Sequence, residues 1–415
     1  MSKNVPEVRF GGSSEEWRIN KLEEIVDRVT RKNSKLESTL PLTISAQHGL
    51  VDQITFFNKQ VASKDVSSYY LLEKGEFAYN KSYSKGFPWG AVKRLDKYEK
   101  GVLSTLYIVF KPNHVNSDFL LSYYDTNRWH KEVSMRAAEG ARNHGLLNIT
   151  AKDFFETELK MPSTAIEQQK IGALFKQLDD MIALQQQLVE QQQQYKKAML
   201  QKMFPQKGER VPKVRFEGFS GDWEETLFGD LYKVSSGFAF KREDYVKEGV
   251  HIVNGESIQH GEVFSNYWNY LPSDFLNKYE GFILKTDDIV LGLNRPITNN
   301  LLKIAKVPAN LNNSLLYQRA GKVNFKTDNM SKEFSYQIIE NEIYKFVKKE
   351  AVGSDQPFIS TTKLEKWSFL YPVNFSEQQK IGTFFRQLDD TIALHQKKLE
   401  DYHQLKKALL QRMFV

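Results

Sequence analysis

The stretch YNKSYSKGFPWGAVKRLDKYEK, Tyr79–Lys100, sets six Lys/Arg side chains among five aromatics in a glycine-punctuated context that reads as a loop. Lysines on such a loop can neutralise phosphates, while Asn, Ser and Arg can read base edges. The candidate contacts here are Lys81, Ser82, Tyr83, Lys85, Lys93 and Arg94, joined by Gln47 and His48 from the upstream LTISAQHG. A second group lies downstream. GLNRPITNN, Gly292–Asn300, offers Asn294, Arg295, Asn299 and Asn300; YQRAGKVN adds Gln318 and Arg319; Asn254 and Glu256 complete the set. Such side chains present paired donors and acceptors that suit adenine or guanine. Each residue alone fits a solvated loop or a satisfied turn as well as a base contact; as a set they point to nucleic acid.

Catalytic signals are missing from the sequence. It holds no G-x-x-x-x-G-K-[ST] phosphate loop, no G-x-S-x-G elbow and no H-E-x-x-H zinc helix. Asp153, Glu158 and Lys160 resemble a metal-dependent nuclease set, but their carboxylates are closely spaced and such triplets are common by chance. The eight histidines are scattered, and the absence of cysteine excludes disulfides, thiol catalysis and Cys-ligated zinc. A formal charge of +7 on 415 residues favours a polyanionic partner only mildly. The N-terminal MSKNVPEVRF lacks the apolar core of a signal peptide, and apolar runs such as GVLSTLYIVF are too short to span a bilayer. A cytoplasmic protein without membrane contact is the expectation.

The elements that position these loops are written twice. Glu167–Phe204 and Glu377–Phe414 agree at 24 of 38 positions, 210 residues apart. Val5–Trp17 and Val211–Trp223 agree at eight of thirteen, with an offset of 206. A repeat of this kind governs the architecture. Between these landmarks the chain shows no convincing internal alignment.

Both long repeats read as helices free of internal proline. Ile171, Leu174, Leu178, Met181, Leu188, Tyr195 and Met199 keep the alternating three- and four-residue spacing of a seam, as do Ile381, Phe384, Leu388, Tyr402, Leu405 and Leu409. Each helix needs another long helix to cover that seam, and the other copy is the obvious candidate; packing of each helix on its own globular block is the alternative. The blocks mix strand-rich runs (LYIVF, GFILKTDDIVLGL, LLKIAKV) with helical ones (SSEEW, KEVSMRAAEG, KEFSYQIIENEIYKFVKKE). The predicted fold is α+β: two domains of mixed α/β structure joined by two long antiparallel coiled-coil helices in a pseudo-twofold internal repeat. The predicted segments are a first variable domain at 1–162, a first helix at 163–205, a linker and second domain at 206–372, and a second helix at 373–415.

With its twice-written EQQKIG…FxQLDD…IAL…KKA…LQ…MF helix and VPxVRF…G…W lead-in, the chain resembles the DNA specificity subunits of Type I restriction-modification systems over essentially its whole length. It departs from the family's frequent Pro-Pro-Leu approach to the helix, having MPSTAIEQQ and YPVNFSEQQ instead. The resemblance implies two target recognition domains, each reading one half of an asymmetric bipartite sequence in double-stranded DNA. It implies that the helices set the spacer and dock two modification subunits, which use S-adenosylmethionine to methylate adenine N6. Two restriction subunits using ATP and Mg would add cleavage, and this chain itself would bind no cofactor and no metal and carry no catalysis. Positions off the seam are expected to face the partners: Gln168, Lys170, Gln177 and Asp180, with Gln378, Lys380, Gln387 and Asp390 opposite. Two other readings stay open. One is a non-enzymatic coiled-coil scaffold whose domains bind proteins or glycans. The other is a nuclease or methyltransferase in its own right, which the motif search disfavours.

Overall fold

Good helix formers without an internal proline fold each long repeat into one helix of 39 residues, Ala165–Met203 and Phe375–Met413. We number the helices used below α1 (Ser117–Tyr124), α2 (Ala165–Met203), α3 (Lys332–Glu350) and α4 (Phe375–Met413). The computed structural model describes residues 4–45, 48–83, 86–137, 147–350 and 357–415. Among them, no helix is long and apolar enough to cross a membrane.

The chain divides into two compact units, Met1–Leu188 with His395–Val415, and Val189–Leu394. Each therefore contains one variable block, one half of α2 and one half of α4. Within the first unit Phe175 packs on Phe414 and Asp179 pairs with Lys406. Within the second Tyr195 packs on Phe384 and Lys196 pairs with Asp389. In both units the helix segments thus run in opposite directions. The seam is only partly covered: Ile171, Leu178 and Ile381 are buried, whereas Met181, Tyr195 and Leu405 are exposed. A single partner helix covers a narrow stripe, so residues at its margin stay in water.

The two blocks share a sheet that their sequences conceal. In the first unit the strands are ordered Val26–Arg28, Ile108–Pro112, Phe77–Asn80, Ala91–Arg94; in the second, Tyr232–Ser236, Ala320–Phe325, Ile289–Gly292, Ile304–Lys306. Both sheets are antiparallel, and in each the strand that comes first in the sequence pairs with the one that comes last in the sequence. A two-stranded ribbon closes each block where it meets its helix: Arg18–Lys21 with Glu158–Met161, and Glu224–Leu227 with Ser368–Tyr371. The second block adds another sheet in which Val250–Val253 runs parallel to Ser314–Leu316. KEFSYQIIENEIYKFVKKE is helix α3 as the spacing predicts, and KEVSMRAAEG contributes to the helix His130–Arg136. SSEEW is not helical: it is irregular chain leading to the strand Arg18–Lys21, and Trp17 is drawn into the core.

The repeated residues build the same core in each unit. Trp17 meets Phe414 edge-on at 6.0 Å and Phe119 at 5.9 Å; Trp223 meets Phe204 at 5.6 Å and Phe334 at 6.2 Å. Phe414 stacks on Phe119, and Phe204 on Phe334. Around them Arg9 forms a two-pronged ion pair with Glu167 at 2.8 and 2.7 Å, as Arg215 does with Glu377 at 2.7 and 2.8 Å. Paired geometry and shared hydrogen bonds offset the cost of burying both charges. The glycine of EQQKIG is also explained. A Cβ at Gly172 would stand 2.7 Å from the Phe119 backbone nitrogen, and one at Gly382 would stand 2.4 Å from that of Phe334.

Candidate nucleic-acid interface

In the first block the strand Phe77–Asn80 ends at Lys81, Ser82 and Tyr83; in the second its counterpart Ile289–Gly292 ends at Leu293, Asn294 and Arg295. The exits are built alike. Leu147 N donates to Lys81 O at 2.9 Å, and Ile359 N donates to Leu293 O at 2.9 Å. One scaffold position therefore presents Lys81, Ser82 and Tyr83 in one block and Asn294 and Arg295 in the other. Tyr83 and Arg295 are exposed, while Lys81, Ser82 and Asn294 are half-buried. Lys81 Nζ lies 3.4 Å from Ile149 O, and Ser82 N donates to Asn80 Oδ1 at 3.0 Å. His48 is exposed at the turn between Leu42–Ser45 and Gly49–Asp52, its backbone N donating to Ser45 Oγ at 3.1 Å. Gln47 and Lys85 lie outside the described residues.

Lys93 and Arg94 are both held in ion pairs within the fold. Lys93 pairs with Asp125 at 2.9 Å, and that carboxylate also takes Lys406 at 2.8 Å. Burial disfavours the Asp125 charge, but Lys93 and Lys406 outweigh it and hold the group below the usual carboxylate range. Arg94 is held by Asp96 at 2.7 Å and by Asp118 at 2.8 Å. The register sets Phe77 opposite Arg94 and Asn80 opposite Ala91, so Arg94 stands at the far end of its strand from Lys81.

The second block gathers more of its candidates. Gln318 and Arg319 form the turn between Ser314–Leu316 and Ala320–Phe325, and Leu293 N donates to Arg319 O at 2.8 Å. Asn254, at the end of Val250–Val253, uses its Oδ1 to accept from Glu256 N and Ser257 N, both at 2.9 Å. This turn packs close to the same edge, since a Cβ on Gly255 would stand 2.9 Å from Arg319 O. Glu256 and Arg319 are exposed and Gln318 is half-buried. Asn299 and Asn300 form the two-residue turn of the hairpin Ile297–Thr298/Leu301–Leu302, with φ of 52° and 62°. Asn is favoured there because it tolerates left-handed backbone, whatever its exposed side chain then does.

Sequence reasoning missed Phe238 and Phe358. Phe238, 38% exposed, is joined by backbone bonds to Leu316 and Gln318, and Phe358, 56% exposed, bridges to Asn294. The available signal was the aromatic-basic run GFAFKR, a short form of the pattern in the first block.

The expected partner-facing set divides by burial. Gln168 and Gln378 are buried, because each amide completes the backbone at a helix junction. Gln168 Oε1 accepts from Asn116 N at 3.0 Å and its Nε2 donates to Pro162 O at 3.0 Å; Gln378 makes the same bonds to Ser331 N at 3.0 Å and Pro372 O at 2.8 Å. Lys170, Gln177, Asp180, Lys380, Gln387 and Asp390 are exposed; Asp180 pairs with Lys176, and Lys380 Nζ lies 5.0 Å from the centre of the Phe219 ring.

Comparison with known proteins places this geometry in context. The Methylase_S profile, described as a Type I restriction modification DNA specificity domain, matches residues 53–192 and 220–401. The chain is 27% identical over 317 residues to the Type I restriction enzyme MjaVIII specificity subunit of Methanocaldococcus jannaschii, covering 75% of this chain and 73% of that one. It is 33% identical over 172 residues to the EcoAI specificity subunit of Escherichia coli, covering 41% of this chain and 28% of that one. Its fold resembles the crystal structure of the Type I restriction-modification system S subunit from M. genitalium, with a TM-score of 0.64, 15% identity and 99% of each chain covered.

Proposed function

Because the chain belongs to the Type I restriction-modification DNA specificity family, we propose that its two variable blocks read the two halves of an asymmetric bipartite target in duplex DNA. The chain is the non-catalytic specificity subunit of such a system. The observation that supports the finer reading is the equivalent strand exit that carries Lys81, Ser82 and Tyr83 in one block and Asn294 and Arg295 in the other. A constant scaffold with different side chains at one edge is what two related readers of different sequences require.

In this reading α2 and α4 form a coiled coil that sets the spacer. Readers related by a twofold address half-sites about one helical turn, ~10 bp, apart. The exposed Lys170, Gln177, Asp180, Lys380, Gln387 and Asp390 are the positions through which two modification subunits dock. Those subunits supply S-adenosylmethionine and methylate adenine N6, and two restriction subunits bring ATP and Mg for cleavage. The reaction requires the target adenine to leave the stack, so the readers hold a duplex that opens at one base.

Long-read methylation sequencing of DNA from cells that co-express the chain with its modification subunit tests the reading, against a control without the chain. The expected result is methyl-adenine in one two-part motif, lost in the control. Soluble, co-purifying proteins that add no such motif would overturn it.

A further inference from the structure

Four backbone segments lie side by side at the reading edge of the second block. Gln318 N donates to Phe238 O at 2.9 Å, Leu293 N to Arg319 O at 2.8 Å, and Arg295 N to Pro357 O at 3.0 Å. Phe238, Arg319, Arg295 and Phe358 therefore stand on adjacent segments in that order. Arg319 and Arg295 have φ of 68° and 46°. Left-handed backbone is usual for Gly and Asn and uncommon for a long side chain, and such positions concentrate at functional sites. Both arginines are exposed, and among the described residues neither guanidinium has a hydrogen-bond or ion-pair partner. Lys93 and Arg94 in the first block, by contrast, are neutralised within the fold. Phe238 is braced as well as exposed, its ring 4.6 Å from Tyr279, 5.2 Å from Phe240 and 5.5 Å from Phe282.

We propose that the second block reads guanine through Arg319 and Arg295, each guanidinium bonding O6 and N7 of a base in the major groove, while the braced ring of Phe238 supplies the apolar flank of the site. This deepens, and rests on, the DNA-recognition reading above. Guanine is the base whose two adjacent acceptors match the guanidinium fork. The neighbouring aromatic surface keeps water from competing for those bonds.

The test uses the complex of the full chain with its modification subunit and compares methylated motifs for the wild type, Arg319→Asn and Arg295→Asn. Asn tolerates the left-handed backbone, so both variants fold, and thermal melting is expected to show equal or higher stability. Each variant is expected to lose a guanine requirement at one position of the second half-site, lowering discrimination there roughly 10- to 100-fold. The first half-site stays intact. Unchanged motifs in both variants, or a second half-site without guanine on either strand, would overturn the proposal. So would a uniform fall in affinity with a shallower salt dependence, the mark of a phosphate contact. If the wild-type complex marks no two-part motif, the specificity reading itself has failed; if it does and the variants copy it, only the arginine assignment has.

Discussion

Gln185 and His395 occupy the same position in the two helical repeats, 210 residues apart, and they touch. Gln185 Nε2 lies 2.8 Å from His395 Nδ1 and donates to His395 O at 2.9 Å. Gln185 is buried, so this is a polar contact held inside the helix pair. A buried polar contact between helices contributes little net stability but penalises shifted registers, in which its groups lose their partners.

Gln185→Leu follows from that contact. A leucine fills the seam, so the unfolding free energy should change by no more than about 1 kcal/mol. Register should loosen, and methylated motifs should appear with more than one spacer length. Denaturant unfolding and motif sequencing read the two effects separately. A single unchanged spacer would show that register is fixed elsewhere.

Glycine in the middle of a helix ordinarily costs about 0.5–1 kcal/mol relative to alanine. At Gly172 and Gly382 the balance reverses, because the added Cβ meets backbone nitrogen at 2.7 and 2.4 Å. Gly172→Ala and Gly382→Ala should each destabilise by about 1–3 kcal/mol, with Gly382→Ala the worse of the two. Denaturant melts decide it, and a stabilising effect of either change would mean that the helix junctions yield easily.

Lys406 and Lys196 are equivalent lysines in unlike company. Lys406 pairs with Asp125 at 2.8 Å and Asp179 at 2.6 Å, whereas Lys196 pairs with Asp389 at 2.7 Å. Burial alone would lower the pKa of Lys406, but the two carboxylates outweigh it and raise it. A raised folded-state pKa contributes stability that is fully present below the unfolded value, about 10.4, and is lost as pH rises through the folded one. Lys406→Met should cost about 1–3 kcal/mol at neutral pH, more than Lys196→Met, with Lys93 still holding Asp125. The difference between parent and Lys406→Met should shrink above about pH 10.4. Equal, pH-independent losses for the two variants would contradict the network.

The long helices were legible because their signal is local: composition and period place them at Glu167–Phe204 and Glu377–Phe414, and they fold as Ala165–Met203 and Phe375–Met413. The shared sheet was not legible, since a strand accepts almost any apolar side chain on its buried face and leaves no alignable trace. Nor was the ion pair of Arg94 legible, since its partner Asp118 is 24 residues away and joins it only through the fold. Nor was the burial of Gln168 and Gln378 legible, because a position off the seam of one helix can face another element. The cluster around Arg319 was legible by residue type alone; only strand pairing shows that Arg319, Arg295 and Asn254 converge on one edge.

The spacer reading makes a demand on length. Inserting four residues after Leu188 and four after Leu394 lengthens both helices and leaves Gln185 and His395 on the same side of the insertions. The pairs Lys406–Asp179 and Lys196–Asp389 then keep their registers, because each pair lies wholly to one side of the insertions. Four residues add about 6 Å of helix at 1.5 Å each, close to two base pairs at about 3.4 Å each. The methylated motif should therefore gain about two spacer base pairs and keep both half-sites. An insertion in one helix alone offsets the paired segments and should abolish methylation. New half-sites with the old spacer would mean that the helices take part in reading bases and do not measure the distance between them.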